Sequence, residues 1–114
     1  MILRNSRTGA VVAERVERAS TPLARLRGLL GRRALPDGEA LLIEPCASIH
    51  TFFMRFAIDA AFLSPELRVL RAIPDLRPWR ATRLYRGAAM ALELPLGTLA
   101  RTGTREGDEL ELES

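Results

Sequence analysis

The chain has 114 residues, 47% of them hydrophobic, and a formal net charge of +3; that length specifies one domain with a single real core. Its only cysteine, Cys46, excludes an intrachain disulfide and a cysteine-based zinc site. No apolar run reaches the ~18 residues of a membrane span, and the charges of the two signs are too interspersed for a nucleic-acid footprint.

All 17 basic residues are arginine, a choice that suits bidentate anion recognition and also follows from codon bias alone. Ile2 and Leu3 are followed at once by Arg4, Asn5, Ser6 and Arg7, with no apolar core of a signal peptide. The expectation is a soluble, cytoplasmic protein with neither nucleic acid nor membrane as a partner.

In chain order, residues 2–4 and 10–18 read as strands joined by a turn at Ser6 to Gly9. The doubled valine Val11-Val12 spoils strict alternation and predicts a bulge or a strand covered on both faces. Ser20-Thr21-Pro22 starts a helix over 21–31, with Thr21 as cap, Pro22 at the first helical position and Gly31 as the stop. Leu23, Leu26 and Leu30 share a stripe that predicts docking on a sheet, so that Leu26→Asp should threaten the fold. Pro36-Asp37-Gly38 is a turn, and residues 40–44 are a strand ended by Pro45. Residues 52–54 and 58–63 read as strand segments, and 58–73 as a β-hairpin. Two prolines in residues 74–85 argue for an irregular segment. Strand pattern returns over 88–94, with Met90, Leu92, Leu94 and Leu96 on one face and Ala91 and Glu93 on the other. Residues 98–102 read as a further short strand, 105–107 as a turn and 109–113 as a closing strand. The sum is a mainly β domain: an antiparallel β-sandwich or partly open barrel of about seven to nine short strands with one helix.

Five segments in this order and spacing carry a resemblance: RGLLGR (27–32), IHTFFMRFAIDAAFLS (49–64), PWR (78–80), ALELPLGT (91–98) and TREGDEL (104–110). The chain resembles the family known as domain of unknown function 192, whose members are compact, mostly β single domains. The resemblance implies that fold and no established activity. The family's characteristic positions fall here on Gly28, Leu29, His50, Met54, Asp59, Glu93, Gly97, Gly107 and Asp108. Phe53 stands where many members have tryptophan, and Ala57 where proline is common. Many members carry a leader segment ahead of the domain; none is expected here, so no periplasmic location is carried over from the resemblance.

The chemical candidates are few. His50 is the only histidine and the natural proton shuttle. Asp59 sits in an apolar run, where a carboxylate has to be exposed, capped by amides or engaged with a ligand. Glu93 either alternates outward to solvent or points into a cleft. Arg77 and Arg80 flank Trp79; together they offer guanidinium groups and an apolar wall to an anion, or the tryptophan plugs the core. Cys46 lacks a visible base partner and reads as an inert thiol. Asp108 reads as a turn residue beside Gly107. A metal set of His50, Asp59, Glu93 or Asp108 has no diagnostic spacing, so neither metal nor cofactor is expected, and the absence of GxxxxGK argues against a phosphate loop.

The function class favoured is a binding module for a small polar or anionic ligand, with His50, Asp59, Arg77, Trp79, Arg80 and Glu93 as candidate ligand contacts. A protein-interaction or structural accessory domain is the alternative, and an enzyme of unidentified reaction the third. The sharpest expectation places His50 and Asp59 within about 8 Å of each other in one depression, close enough for the carboxylate to raise the imidazole pKa.

Overall fold

The doubled valine at Val11-Val12 lies where the chain leaves one sheet for another. In the computed structural model, which describes all of residues 1–114, β1 (Ile2–Asn5) and β2 (Val11–Ala13) form the expected hairpin. The run then breaks at Glu14 and continues as β3 (Arg15–Ala19) in a different sheet. The amides of Glu14 and Arg15 both donate to the Gly38 carbonyl, at 2.7 and 2.9 Å, which holds the corner. What reads as one irregular strand over 10–18 is thus two strands in two sheets.

Helix α1 (Pro22–Arg27) follows, then β4 (Glu39–Ile43), β5 (Ile58–Leu63), β6 (Val69–Leu76), β7 (Met90–Pro95), α2 (Thr98–Thr102) and β8 (Leu110–Glu113). The small sheet has the order β2-β1-β8 and the large one β3-β4-β7-β5-β6. Only β3 and β4 pair in parallel, bridged by α1; every other pairing is antiparallel. Eight strands and two short helices make the sandwich-like, mainly β domain expected, with 39% strand and 10% helix.

The large sheet is covered on both faces, which is why all six residues of β5 and all six of β7 are buried. On one face Ala40, Leu42, Ala61, Leu63, Leu92 and Leu94 meet Leu3, Val12 and Leu110 of the small sheet and Leu99 of α2. On the other face Leu41, Ile43, Ile58, Ala60, Phe62 and Ala91 meet no sheet. Chain without regular structure covers them instead, through Leu29, Leu35, Ile49 and Met54, with Tyr85 tilted against Phe62 at a centroid distance of 4.7 Å.

Five local expectations are corrected. Residues 98–102 form α2, not a strand: Gly97 and Gly103, at φ 89° and 67°, bracket a single helical segment between left-handed residues. The helix expected over 21–31 ends at Arg27, because Gly28 turns away with φ 49° and ψ −128°. Thr21 Oγ1 does accept from Ala24 N at 3.1 Å, and Pro22 opens the helix as expected. The leucine stripe does not dock, however: Leu23 and Leu26 are 76% and 73% exposed, and the burial expected of it falls on Leu29, beyond the helix. Residues 52–54 are turn, with Phe53 at φ 66°. Finally, β6 extends through Pro74 to Leu76; as the edge strand of its sheet it tolerates a residue without an N–H.

Candidate functional site

Alternation along β7 sends Met90, Leu92 and Leu94 to the core between the sheets and Ala91 and Glu93 to the opposite face. Because loops cover that face, Glu93 is not solvated and is only 3% exposed. Its ladder neighbours are Leu41 on β4 and Ala60 on β5, neither of which offers a side-chain donor. Glu93 Oε1 is accordingly buried without a hydrogen-bond partner. Burial pushes its carboxyl up to about 7, against the opposing pull of the Arg32 charge. Arg32 itself is paired with Glu17.

A cavity of about 370 Å³ lies over this carboxyl. Leu29, Ile43, Ile49 and Met54 give it apolar walls, while Arg25, Cys46, Ser48 and His50 contribute to its lining. Gly28, on the turn after α1, crosses close to the floor: a Cβ there would stand 4.0 Å from Glu93 Oε1 and 3.9 Å from the Arg25 carbonyl oxygen. A concave, largely apolar space with one unmet polar atom is the form that small-molecule sites take.

Cys46 is half-buried, and its thiol donates to the Ser48 carbonyl oxygen at 3.0 Å. Burial raises the thiol pKa and the nearby Glu93 adds to the effect, which favours the thiol over the thiolate. His50 lies at the rim, exposed, with Nδ1 accepting from Phe52 N at 3.2 Å. Its ring stacks on Phe52 at 5.1 Å. Trp79 lies 6.1 Å from Phe52 and 4.7 Å from Phe53 between centroids. Thr51, fully buried, fastens the two loops that carry this cluster: Oγ1 donates to the Arg77 carbonyl at 2.6 Å and accepts from Arg80 N at 2.9 Å. Thr51 N donates to the Arg80 carbonyl and Trp79 N to that of Thr51, at 2.8 and 3.0 Å.

Of the residues singled out by sequence, His50 and Glu93 are brought into one pocket. Asp59 is not among them. It faces the core between the sheets, where Oδ1 accepts from Asp75 N at 3.0 Å and Oδ2 from Leu99 N at 2.9 Å. The expected His50–Asp59 pair is therefore overturned: β5 turns Asp59 to the face opposite the pocket, and amides occupy both its oxygens. Trp79 does not plug the core; it is 57% exposed. Arg77 bonds Asp75 at 3.2 Å, and Arg80 reaches only the Trp79 carbonyl, at 3.4 Å. Neither lines the pocket. Sequence reasoning missed Arg25 and the walls Ile43 and Ile49. Gly28 carried a signal, as a glycine inside a helical pattern, which is costly unless backbone or ligand needs the space. No group of three or more His, Cys, Asp or Glu side chains is placed to hold a metal ion, and Asp108 instead binds Arg7 and Asn5.

Residues 3–112 match the model of the DUF192 family, described as "Uncharacterized ACR". A UPF0127 protein of Thermococcus sibiricus is 33% identical over 98% of this chain and 75% of its own length. A second, from Pyrococcus furiosus, is 31% identical over 94% of each. Among solved structures, a protein of unknown function from Novosphingobium aromaticivorans superposes with a TM-score of 0.85 over 98% of this chain and 84% of its own, at 22% identity. That likeness is one of fold. With nearly its whole length matched, the chain belongs to the DUF192 family.

Proposed function

We propose that this domain is a binding module whose site is the Glu93 pocket, and that its ligand is a small polar molecule presenting a hydrogen-bond donor to Glu93. The observation that carries this reading is the buried Oε1 without a partner at the base of a cavity. Leaving such an atom unmet costs about 1–3 kcal/mol, more if charged, and a bound donor removes that cost. An enzymatic reading is less well supported, since the one thiol in the pocket is bonded to a carbonyl and its pKa is raised. A protein partner is the second reading. It is favoured by the exposed ring cluster, where Phe53 and Trp79 are 71% and 57% exposed and both hold positive φ. We place the domain in the cytoplasm, which suits its unpaired thiol; no helix is long and apolar enough to cross a membrane.

Native mass spectrometry of the protein purified from its own host tests the ligand reading. The wild type is expected to carry a non-covalent small-molecule adduct that the near-isosteric Glu93→Leu variant lacks. An adduct retained in full by a folded Glu93→Leu variant contradicts it.

A further inference from the structure

The Glu93 pocket changes character from floor to mouth. At the floor one carboxyl oxygen is unmet. The walls above it, Leu29, Ile43, Ile49 and Met54, offer nothing polar from their side chains. At the mouth stands Arg25, exposed on the last turn of α1 and absent from every ion pair of the molecule. Its charge reaches the lining, where it opposes the rise in the Cys46 pKa. Arg27 also lines the pocket, exposed and in no ion pair, while Arg32, whose charge acts on Glu93, already has Glu17.

A ligand matching this gradient has a donor at its inner end, an apolar middle and an anion at its outer end. The floor discriminates among donors. An ammonium brings three N–H groups and a full charge, whereas a hydroxyl brings one O–H. The buried oxygen is flanked by Leu41 and Ala60, whose side chains offer no acceptor for the remaining ammonium protons, so an ammonium would be less completely satisfied there than a hydroxyl. A hydroxyl also accepts a hydrogen bond from a protonated carboxyl. At the mouth, one guanidinium fork matches the two oxygens of a carboxylate. We propose that the pocket takes a small hydroxycarboxylate, its hydroxyl on Glu93 and its carboxylate on Arg25, with an apolar linker along Ile43, Ile49 and Met54. This rests on reading the pocket as a binding site and adds the class of ligand.

The test is an amide NMR titration of the full chain with ω-hydroxycarboxylates of increasing length, from hydroxypropionate to hydroxyoctanoate. Each is paired with the plain alkanoate and with its methyl ester. Saturable shifts are expected at Gly28, Ile49 and Met54, strongest for one chain length. Removing the hydroxyl or esterifying the carboxylate should each weaken binding about tenfold or more, the loss of one good hydrogen bond or charge contact. Arg25→Gln should erase the acid's advantage over its ester, and Glu93→Leu, which removes the polar atoms, the advantage of the hydroxyl over the alkanoate. Both variants should keep the wild-type amide spectrum elsewhere. Esters that bind as tightly as acids, or an Arg25→Gln variant without effect, overturn the anionic end and leave the pocket's recognition of a donor standing. Alkanoates that bind as tightly as hydroxy acids overturn both. No pocket shifts from any member overturn the hydroxycarboxylate class; donor recognition is then decided by the adduct on Glu93→Leu.

Discussion

Asp59 and Glu93 lie one register step apart on paired strands, since Asp59 stands opposite Leu94 and Ala60 opposite Glu93. That single step sends them to opposite faces, and their chemistry diverges completely. Asp59 accepts two backbone amides, one from the end of β6 and one from α2, and so fastens both to the large sheet. Asp59→Asn keeps one acceptor and turns an amide donor toward the other N–H. It should cost about 1–3 kcal/mol in urea unfolding and leave any Glu93-dependent adduct in place; an unchanged midpoint would deny the capping role. The sequence made plain that a carboxylate between Ile58 and Ala60 had to be satisfied. It did not make the partner legible, because the amides of Asp75 and Leu99 lie 16 and 40 residues away and have no side-chain signature. Glu93 shows the reverse: its alternation was readable, but whether the outward face meets water or a loop was not.

At the scale of elements, the local chemistry of turns was legible and the docking of short helices was not. Thr21 and Pro22 start α1 where their side chains dictate. The leucine stripe that follows would dock a longer helix, but Gly28 ends this one after six residues, before the stripe can meet the sheet. Leu26→Asp should accordingly shift stability by no more than about 0.5 kcal/mol, as at other exposed positions. A loss of several kcal/mol by thermal unfolding would mean that α1 packs down in solution. Helix α2 reads as a strand in the sequence because threonine favours strands, whereas here Thr98 Oγ1 donates to the Pro95 carbonyl and Thr102 Oγ1 to that of Thr98, at 2.7 and 2.8 Å. The short turn of α1 has a consequence for the site. It brings Gly28 over Glu93 and leaves Arg25 at the mouth.

For the molecule as a whole, two buried carboxylates set opposite pH dependences in separate windows. Asp108 joins the ends of the chain: Arg7 bonds it at 2.6 and 3.1 Å, and Asn5 and the Arg105 amide add bonds at 2.9 and 3.0 Å. Led by the Arg7 hydrogen bond, these contacts hold its carboxyl far below the usual range. The stability it contributes is present above the unfolded carboxylate pKa and is lost as pH falls below it. Glu93 has the opposite sign. Its folded pKa is raised from 4.5 to about 7, so the folded state holds the extra proton between those values. Stability therefore declines as pH rises through that window, by on the order of 3 kcal/mol once the group is ionised. Against a net stability of about 5–15 kcal/mol for a domain, that is a substantial cost, and a donor bound to Oε1 would offset it. Everything proposed for the pocket stands on this carboxyl being buried and without a partner. Carbon NMR titration of the Glu93 side-chain carboxyl in the ligand-free protein measures that directly. The expected midpoint is near 7; a midpoint in the ordinary carboxylate range, about 4.3, would show a solvated or paired group and contradict the assignment of the site.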